Sequence, residues 1–160
     1  MEITLRKAKY DDYKGFLEVF SEIEEFHRLN APWKFRKPES ELFSKAYYQE
    51  ILDNNDSIFI LAEHKAEIVG YVLGTRKDAN DFPILQKINY AQVNELAVKS
   101  NYRQQGIATK LMDEFEILAK EKGVSEIELN VWSFNQAAIS FYEKKGYTSF
   151  RQAMRKVIDK

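Results

Sequence analysis

The chain has 160 residues, 44% hydrophobic and 31% charged, enough for one domain that buries roughly 70% of its unfolded surface without covalent staples. Its 24 basic and 25 acidic residues leave a formal net charge of −1, which gives no electrostatic case for nucleic acid or an anionic membrane. With no cysteine, disulfides, thiolate metal sites and cysteine nucleophiles are excluded, and His27 and His64 are too far apart in sequence for a structural zinc site. No apolar run reaches a signal-peptide core or the ~20 residues of a membrane span, so the expectation is a cytoplasmic, metal-free, single domain over 1–160.

Met1 to Ala8 alternates, Ile3 and Leu5 against Thr4 and Arg6, and reads as a short strand. Asp11 and Asp12 then offer N-caps to a helix with Phe16, Leu17, Phe20, Ile23 and Phe26 at helical spacing. The segment NAPWKFRKPES, 30–40, interrupts it through Pro32 and Pro38, and Glu39 to Leu52 resumes a helical pattern. SIFILAEH (57–64) and EIVGYVLGT (67–75) flank Lys65 and Ala66 and suggest an antiparallel hairpin. The stretch 76–89, with Asp78, Asn80, Asp81 and Pro83, reads as a loop, and Tyr90 to Val98 as a strand.

A helix begins near Gly106, carries Ile107, Leu111, Met112, Phe115, Leu118 and Ala119 on one side, and stops at Gly123. IELNVW (127–132) is a further strand, buried on both faces if Val131 and Trp132 both pack. Asn135 caps a last helix ending at Gly146, and 147–158 is expected to supply one or two closing strands. The order is α/β with a mixed sheet.

Between strand and helix lies YRQQGIATKLM, 102–112. It lacks both the Walker pattern and the dinucleotide glycine fingerprint, leaving R-x-x-G-x-A. The first turn of a helix has free N–H groups and about +0.5 of charge, so the loop suits an anion. Such turns are common, and taken alone the loop is more simply a plain polar turn. Downstream, NVWSFNQAAISFYEKKGY (130–147) puts Ala138, Phe141 and Tyr142 on one helix face. Core packing accounts for Phe141. The Tyr142 hydroxyl must find a partner or open onto a cavity, so a structural and a catalytic tyrosine both stay open.

Taken together, ELAVKSNYRQQGIATKLM (95–112) and LNVWSFNQAAISFYEKKGY (129–147) resemble the two linked motifs of the GNAT superfamily of acetyl-CoA-dependent N-acetyltransferases. The match is strong over 90–147. The hairpin and first strand fit the family's order, and 26–56 fits only loosely. The resemblance implies a mixed, mostly antiparallel sheet of six to seven strands, about four helices and a splayed central parallel pair. It implies that the backbone amides of Arg103, Gln104, Gln105, Gly106, Ile107 and Ala108 hold the coenzyme A pyrophosphate. Leu96, Ala97 and Val98 would run beside the pantetheine arm, Asn135 and Ala138 would contact the cofactor, and Tyr142 would stand near the sulfur. Ala108 replaces the commoner glycine.

Such a transfer needs a neutral amine, a stabilised oxyanion and a proton for the leaving thiolate. An alkylammonium of pKa near 10.4 is neutral only about once in 2,500 at pH 7, a penalty of roughly 4.6 kcal/mol. Glu95 is the first candidate base, yet regular alternation puts Gln92 and Asn94 on one face and Glu95 on the other unless a bulge intervenes. Glu95 then either takes the proton or braces a neighbouring element, with Gln92 and Asn94 holding water. The Val98 N–H is the simplest oxyanion donor, and Tyr142 is a competent acid.

The acceptor, a small molecule or a peptide amine, is expected to meet 26–40 and 76–89. Phe26 and Trp33 are its candidate contacts, although Phe26 also reads as a cap on the core. The basic residues of 26–40 favour an anionic acceptor or the adenosine 3′-phosphate, whereas Asp78, Asp81 and Glu95 favour a cationic amine. A catalytically idle acyl-CoA-binding sensor is the alternative, and the aromatic content leaves room for a homodimer.

Overall fold

The computed structural model describes residues 1–78 and 82–158. Asn80 and Asp81 of the expected loop lie outside them. A larger unit spans Met1–Asn130 and a smaller one begins at Val131. The elements are β1 (Thr4–Lys7), α1 (Tyr13–Asn30), α2 (Lys45–Asp53), β2 (Ser57–His64), β3 (Glu67–Lys77), β4 (Tyr90–Val98), α3 (Ile107–Glu121), β5 (Glu126–Leu129) and α4 (Gln136–Lys144).

The five strands form one sheet in sequence order. β1 through β4 pair antiparallel, while β4 and β5 run parallel over only Tyr90–Val93 and Glu126–Leu129. Beyond Val93, β4 has no strand on its β5 side among the described residues, so that edge of its second half is open. Alternation along β3 sorts the two cores. Tyr71 and Leu73 join Phe16, Phe20, Phe43, Tyr48 and Phe59 under α1 and α2. Gly70 and Gly74 lie on the opposite face, against Leu111 and Phe115 of α3.

Four sequence expectations are corrected. The sheet has five strands among the described residues, because 147–158 contains none. Its apolar residues Phe150, Met154, Val157 and Ile158 lack the two-residue period of a strand, and all are exposed. β5 ends at Leu129, before Asn130, a poor strand former. Val131 is exposed, and Trp132 stacks on Phe134 rather than entering the sheet. α2 begins at Lys45 instead of Glu39, since Ser44 has extended backbone and its hydroxyl accepts from the Tyr47 N–H at 3.1 Å.

Asp12 does precede α1 but makes no side-chain cap. Its carboxylate turns back to accept from the Lys9 N–H at 2.7 Å and, through both oxygens, from the Arg6 guanidinium at 2.7 Å. Arg6 Nε also donates to Glu63 at 2.9 Å, so one guanidinium joins β1, β2 and the start of α1.

Candidate functional site

The register of β3 against β4 resolves the parity of Glu95. Leu73 pairs with Glu95 but Gly74 pairs with Val93, so Asn94 is an extra residue, a β-bulge. Cross-strand partners share a face, and Thr75 pairs with Gln92. Gln92 and Glu95 therefore share the α1 face despite their odd spacing, and Asn94 is exposed. The two do different things there. Gln92 Nε2 donates to the Val93 and Glu128 carbonyls at 3.3 and 3.2 Å, tying β4 to β5. Asn94 Oδ1 accepts from Thr75 Oγ1 at 3.2 Å.

Glu95 Oε2 accepts from the Tyr71 hydroxyl at 2.6 Å, and Oε1 has no donor among the described residues. Burial raises the Glu95 carboxyl above the usual carboxylate range. The Tyr71 bond and His27 pull it down, and Glu24 pushes it further up. A cleft of about 520 Å³ opens beside it, lined by Glu95, Asn94 and Thr75 of the sheet and by Tyr47, Glu50 and Ile51 of α2. Phe26 and Trp33 are not among its lining residues. Phe26 is half-buried near the end of α1, and Trp33, just beyond the helix, is 53% exposed. Asp78, a candidate for attracting a cationic amine, binds Arg76 at 2.5 Å.

After the bulge, Lys99 N–H donates to the Val69 carbonyl. By the alternation of an antiparallel ladder, Ala97 also points its backbone groups at β3, and Leu96 and Val98 point theirs away. Those two N–H groups line the open edge of β4. The loop that follows is anchored from below. Lys99, only 8% exposed, donates to Glu18 at 2.9 Å and Glu67 at 2.8 Å. Burial pulls Lys99 down, but the two carboxylates outweigh it and hold the ammonium charged. The Tyr102 hydroxyl donates to Glu67 at 2.9 Å, and the Ser100 N–H donates to Glu22 at 2.8 Å. These anchors on α1 and β3 were not read from the sequence, where Glu18 and Glu22 look like ordinary exposed helix residues.

Above the anchor, Arg103 Nε donates to the Val98 carbonyl at 3.0 Å, and the Gln105 amide donates to the Asn101 carbonyl at 3.3 Å. Gln104 and Gly106 both adopt positive φ, +59° and +76°. The next intrahelical bond is Lys110 N–H to the Gly106 carbonyl. The Arg103 N–H, expected among the pyrophosphate donors, instead donates to the Ser100 carbonyl at 3.4 Å, whereas the backbone N–H groups of Gln104, Gln105, Gly106, Ile107, Ala108 and Thr109 find no acceptor among the described residues. A Cβ on Gly106 would meet nothing within 4 Å, so space lies open over that run of donors.

In the smaller unit, Asn135 Oδ1 accepts from the Ala138 N–H at 3.1 Å, the expected cap. Tyr142 is partly buried between the rings of Phe141 and Tyr147, at 5.2 and 5.6 Å. Its hydroxyl has no partner among the described residues, and burial pushes its pKa up to about 12. Among the described residues no group of His, Asp and Glu side chains could hold a metal, and no helix is long and apolar enough to cross a membrane.

Residues 20–147 match the model of the acetyltransferase (GNAT) family. The chain belongs to this family. An N-acetyltransferase of Archaeoglobus fulgidus, itself uncharacterised, is 30% identical to this GNAT chain over 138 residues, 86% of the chain and 88% of the relative. Another, from Methanocaldococcus jannaschii, is 26% identical over 144 residues, 90% of the chain. The GNAT chain spans only 60% of that relative's length. A four-substitution variant of a Bacillus halodurans protein has the same fold, with a TM-score of 0.91 at 22% identity over 97% of this chain and 99% of its own.

Proposed function

We propose that the chain moves the acetyl group of acetyl-CoA to a primary amine by direct attack in a ternary complex. The observation that carries this reading is the run of unengaged N–H groups from Gln104 to Thr109 under the open space at Gly106. Backbone donors at a helix N-terminus match the two charges of a pyrophosphate, and the absent Cβ lets its oxygens approach them. Upstream of the loop, the N–H and carbonyl of Leu96 on the open edge of β4 would pair with an amide of the pantetheine arm, leaving the Val98 N–H for the oxyanion. Asn135, whose Oδ1 caps α4, keeps its Nδ2 hydrogens for the cofactor.

Bound acetyl-CoA supplies the acetyl group as a thioester. Glu95 would accept the amine proton at Oε1, and the burial that raises its pKa makes it a better base than an exposed carboxylate. The Val98 N–H would meet the developing oxyanion. Tyr142 Oη would give a proton to the departing sulfur, since its hydroxyl stays protonated at neutral pH. The amine would reach Glu95 through the cleft beside α2, with Asn94 and Tyr47 on its walls. The N-acetyltransferase names of the relatives support an amine acceptor.

The test is thiol release from acetyl-CoA across a library of small amines and peptide N-termini, with acetyl-CoA affinity measured in parallel by calorimetry. Amine-dependent thiol release supports the transferase. Tight binding with no turnover on any amine supports an acyl-CoA sensor instead, and absence of binding removes both.

A further inference from the structure

We propose that Tyr71 is a positioning residue for the reaction: its hydroxyl holds Glu95 Oε2 and so reserves Oε1 as the oxygen that exchanges protons with the amine. The inference rests on Glu95 as the proton acceptor. Tyr71 is fully buried, and its ring is wedged against Phe16 at 4.9 Å and Phe59 at 6.0 Å. A ring fixed this way cannot follow a rotating carboxylate, so the 2.6 Å bond sets the orientation of Glu95 rather than adapting to it. Glu95 meanwhile lines the cleft, and its other oxygen has no donor among the described residues.

The arrangement suits both protonation states. When an amine N–H bond breaks and the proton forms an O–H bond at Oε1, Oε2 becomes the carbonyl oxygen and still accepts from Tyr71. The proton then leaves Oε1 for solvent with no rotation of either side chain. The groups facing Glu95 give Tyr71 a second effect. Glu24 on α1 disfavours the carboxylate and His27 on the same helix favours it. Glu50 on α2 and Lys77 on β3 stand along the cleft with opposite charges. Against burial and Glu24, the Tyr71 bond is the largest contribution favouring the ionised form of Glu95.

The experiment uses the full chain labelled with ¹³C at the glutamate carboxyls. Glu95→Gln identifies the Glu95 resonance, and its titration is compared in the wild type and Tyr71→Phe. Loss of one charge-assisted hydrogen bond should move the Glu95 titration upward by about one pH unit. The acid limb of kcat/KM should move with it, while KM for acetyl-CoA holds. Should Tyr71→Phe fold poorly, uniform 3-fluorotyrosine strengthens the donor and should lower the Glu95 titration instead. A Glu95 resonance that titrates at the same pH in every form overturns the proposal. A resonance that moves while Glu95→Gln keeps the acid limb overturns the assignment of Glu95 as base and, with it, Tyr71's part in the reaction.

Discussion

Gly106→Ala and Gly123→Ala together separate backbone strain from ligand space. Gly106 precedes α3 at φ +76° and Gly123 follows it at +74°, and at both positions a Cβ would meet nothing within 4 Å. Neither substitution creates a clash, so each carries only the left-handed penalty of about 1–2 kcal/mol. In a chain of this size Tm falls by roughly 2–4 °C for each kcal/mol, and the two variants should fall together. Their binding should differ. A methyl at Gly106 sits among the donors from Gln104 to Thr109, and losing even one charge-assisted hydrogen bond costs about 1.5–3 kcal/mol, roughly tenfold to a hundredfold in Kd. Gly123→Ala should bind acetyl-CoA like the wild type. Thermal unfolding and calorimetry on the three proteins decide it. Equal acetyl-CoA affinity in both variants would refute the cradle, and an unmoved Tm in both would refute the strain argument.

Tyr142→Phe should lower turnover by about 10²-fold or more without changing acetyl-CoA affinity; unchanged turnover takes Tyr142 out of the mechanism. Because burial pushes Tyr142 up to about 12, it must stay protonated, and kcat should show no Tyr142-dependent fall between about pH 7 and 10. A fall there that disappears in Tyr142→Phe contradicts this. Gly74→Ala places a Cβ 2.5 Å from the Phe115 ring and 2.6 Å from the Gln92 carbonyl, and should cost about 1–3 kcal/mol in urea unfolding; an unshifted midpoint speaks against that close approach. Arg6 holds the Asp12 carboxyl below its ordinary value. The pair therefore stabilises the fold above the unfolded Asp value, near 3.9, and that contribution is lost as pH falls through the lower folded value. Arg6→Met should flatten this part of the stability curve, and parallel curves for the two proteins would rule the coupling out.

The two motifs gave away the strand, the loop and both flanking helices, because capping and glycine placement are local: Asn135, Gly106 and Gly123 each act where the sequence puts them. Glu95 was legible as a residue but not as a geometry. Its face depends on the bulge at Asn94, which is a matter of pairing between strands. The sequence held one clue, Gly74, a lone glycine inside a strand pattern that marks either a bulge or a close approach. Tyr71 carried no such clue. Between two glycines in an apolar strand, it reads as core until the register places its hydroxyl two residues diagonally from Ala97, on Glu95. The closing strands expected over 147–158 had no two-residue apolar pattern behind them, and the structure has none there.

Gly74 couples the proposed base to the proposed cradle. Its missing side chain lets the Phe115 ring lie against the sheet where Gly74 meets Val93, one residue before the bulge. A glycine inside a strand costs roughly 0.5–1 kcal/mol, and burying a phenylalanine ring returns about 1.5–3 kcal/mol, so the exchange favours the close contact. Phe115 belongs to α3, the helix whose first turn presents the donors from Gly106 to Thr109. One contact thus fixes the helix against β3, the strand hydrogen-bonded to the one that carries Glu95. A change at Gly74 should disturb acetyl-CoA affinity and the Glu95 titration together, whereas Tyr71→Phe should alter the titration alone. That contrast distinguishes a shift of α3 on the sheet from the loss of one hydrogen bond.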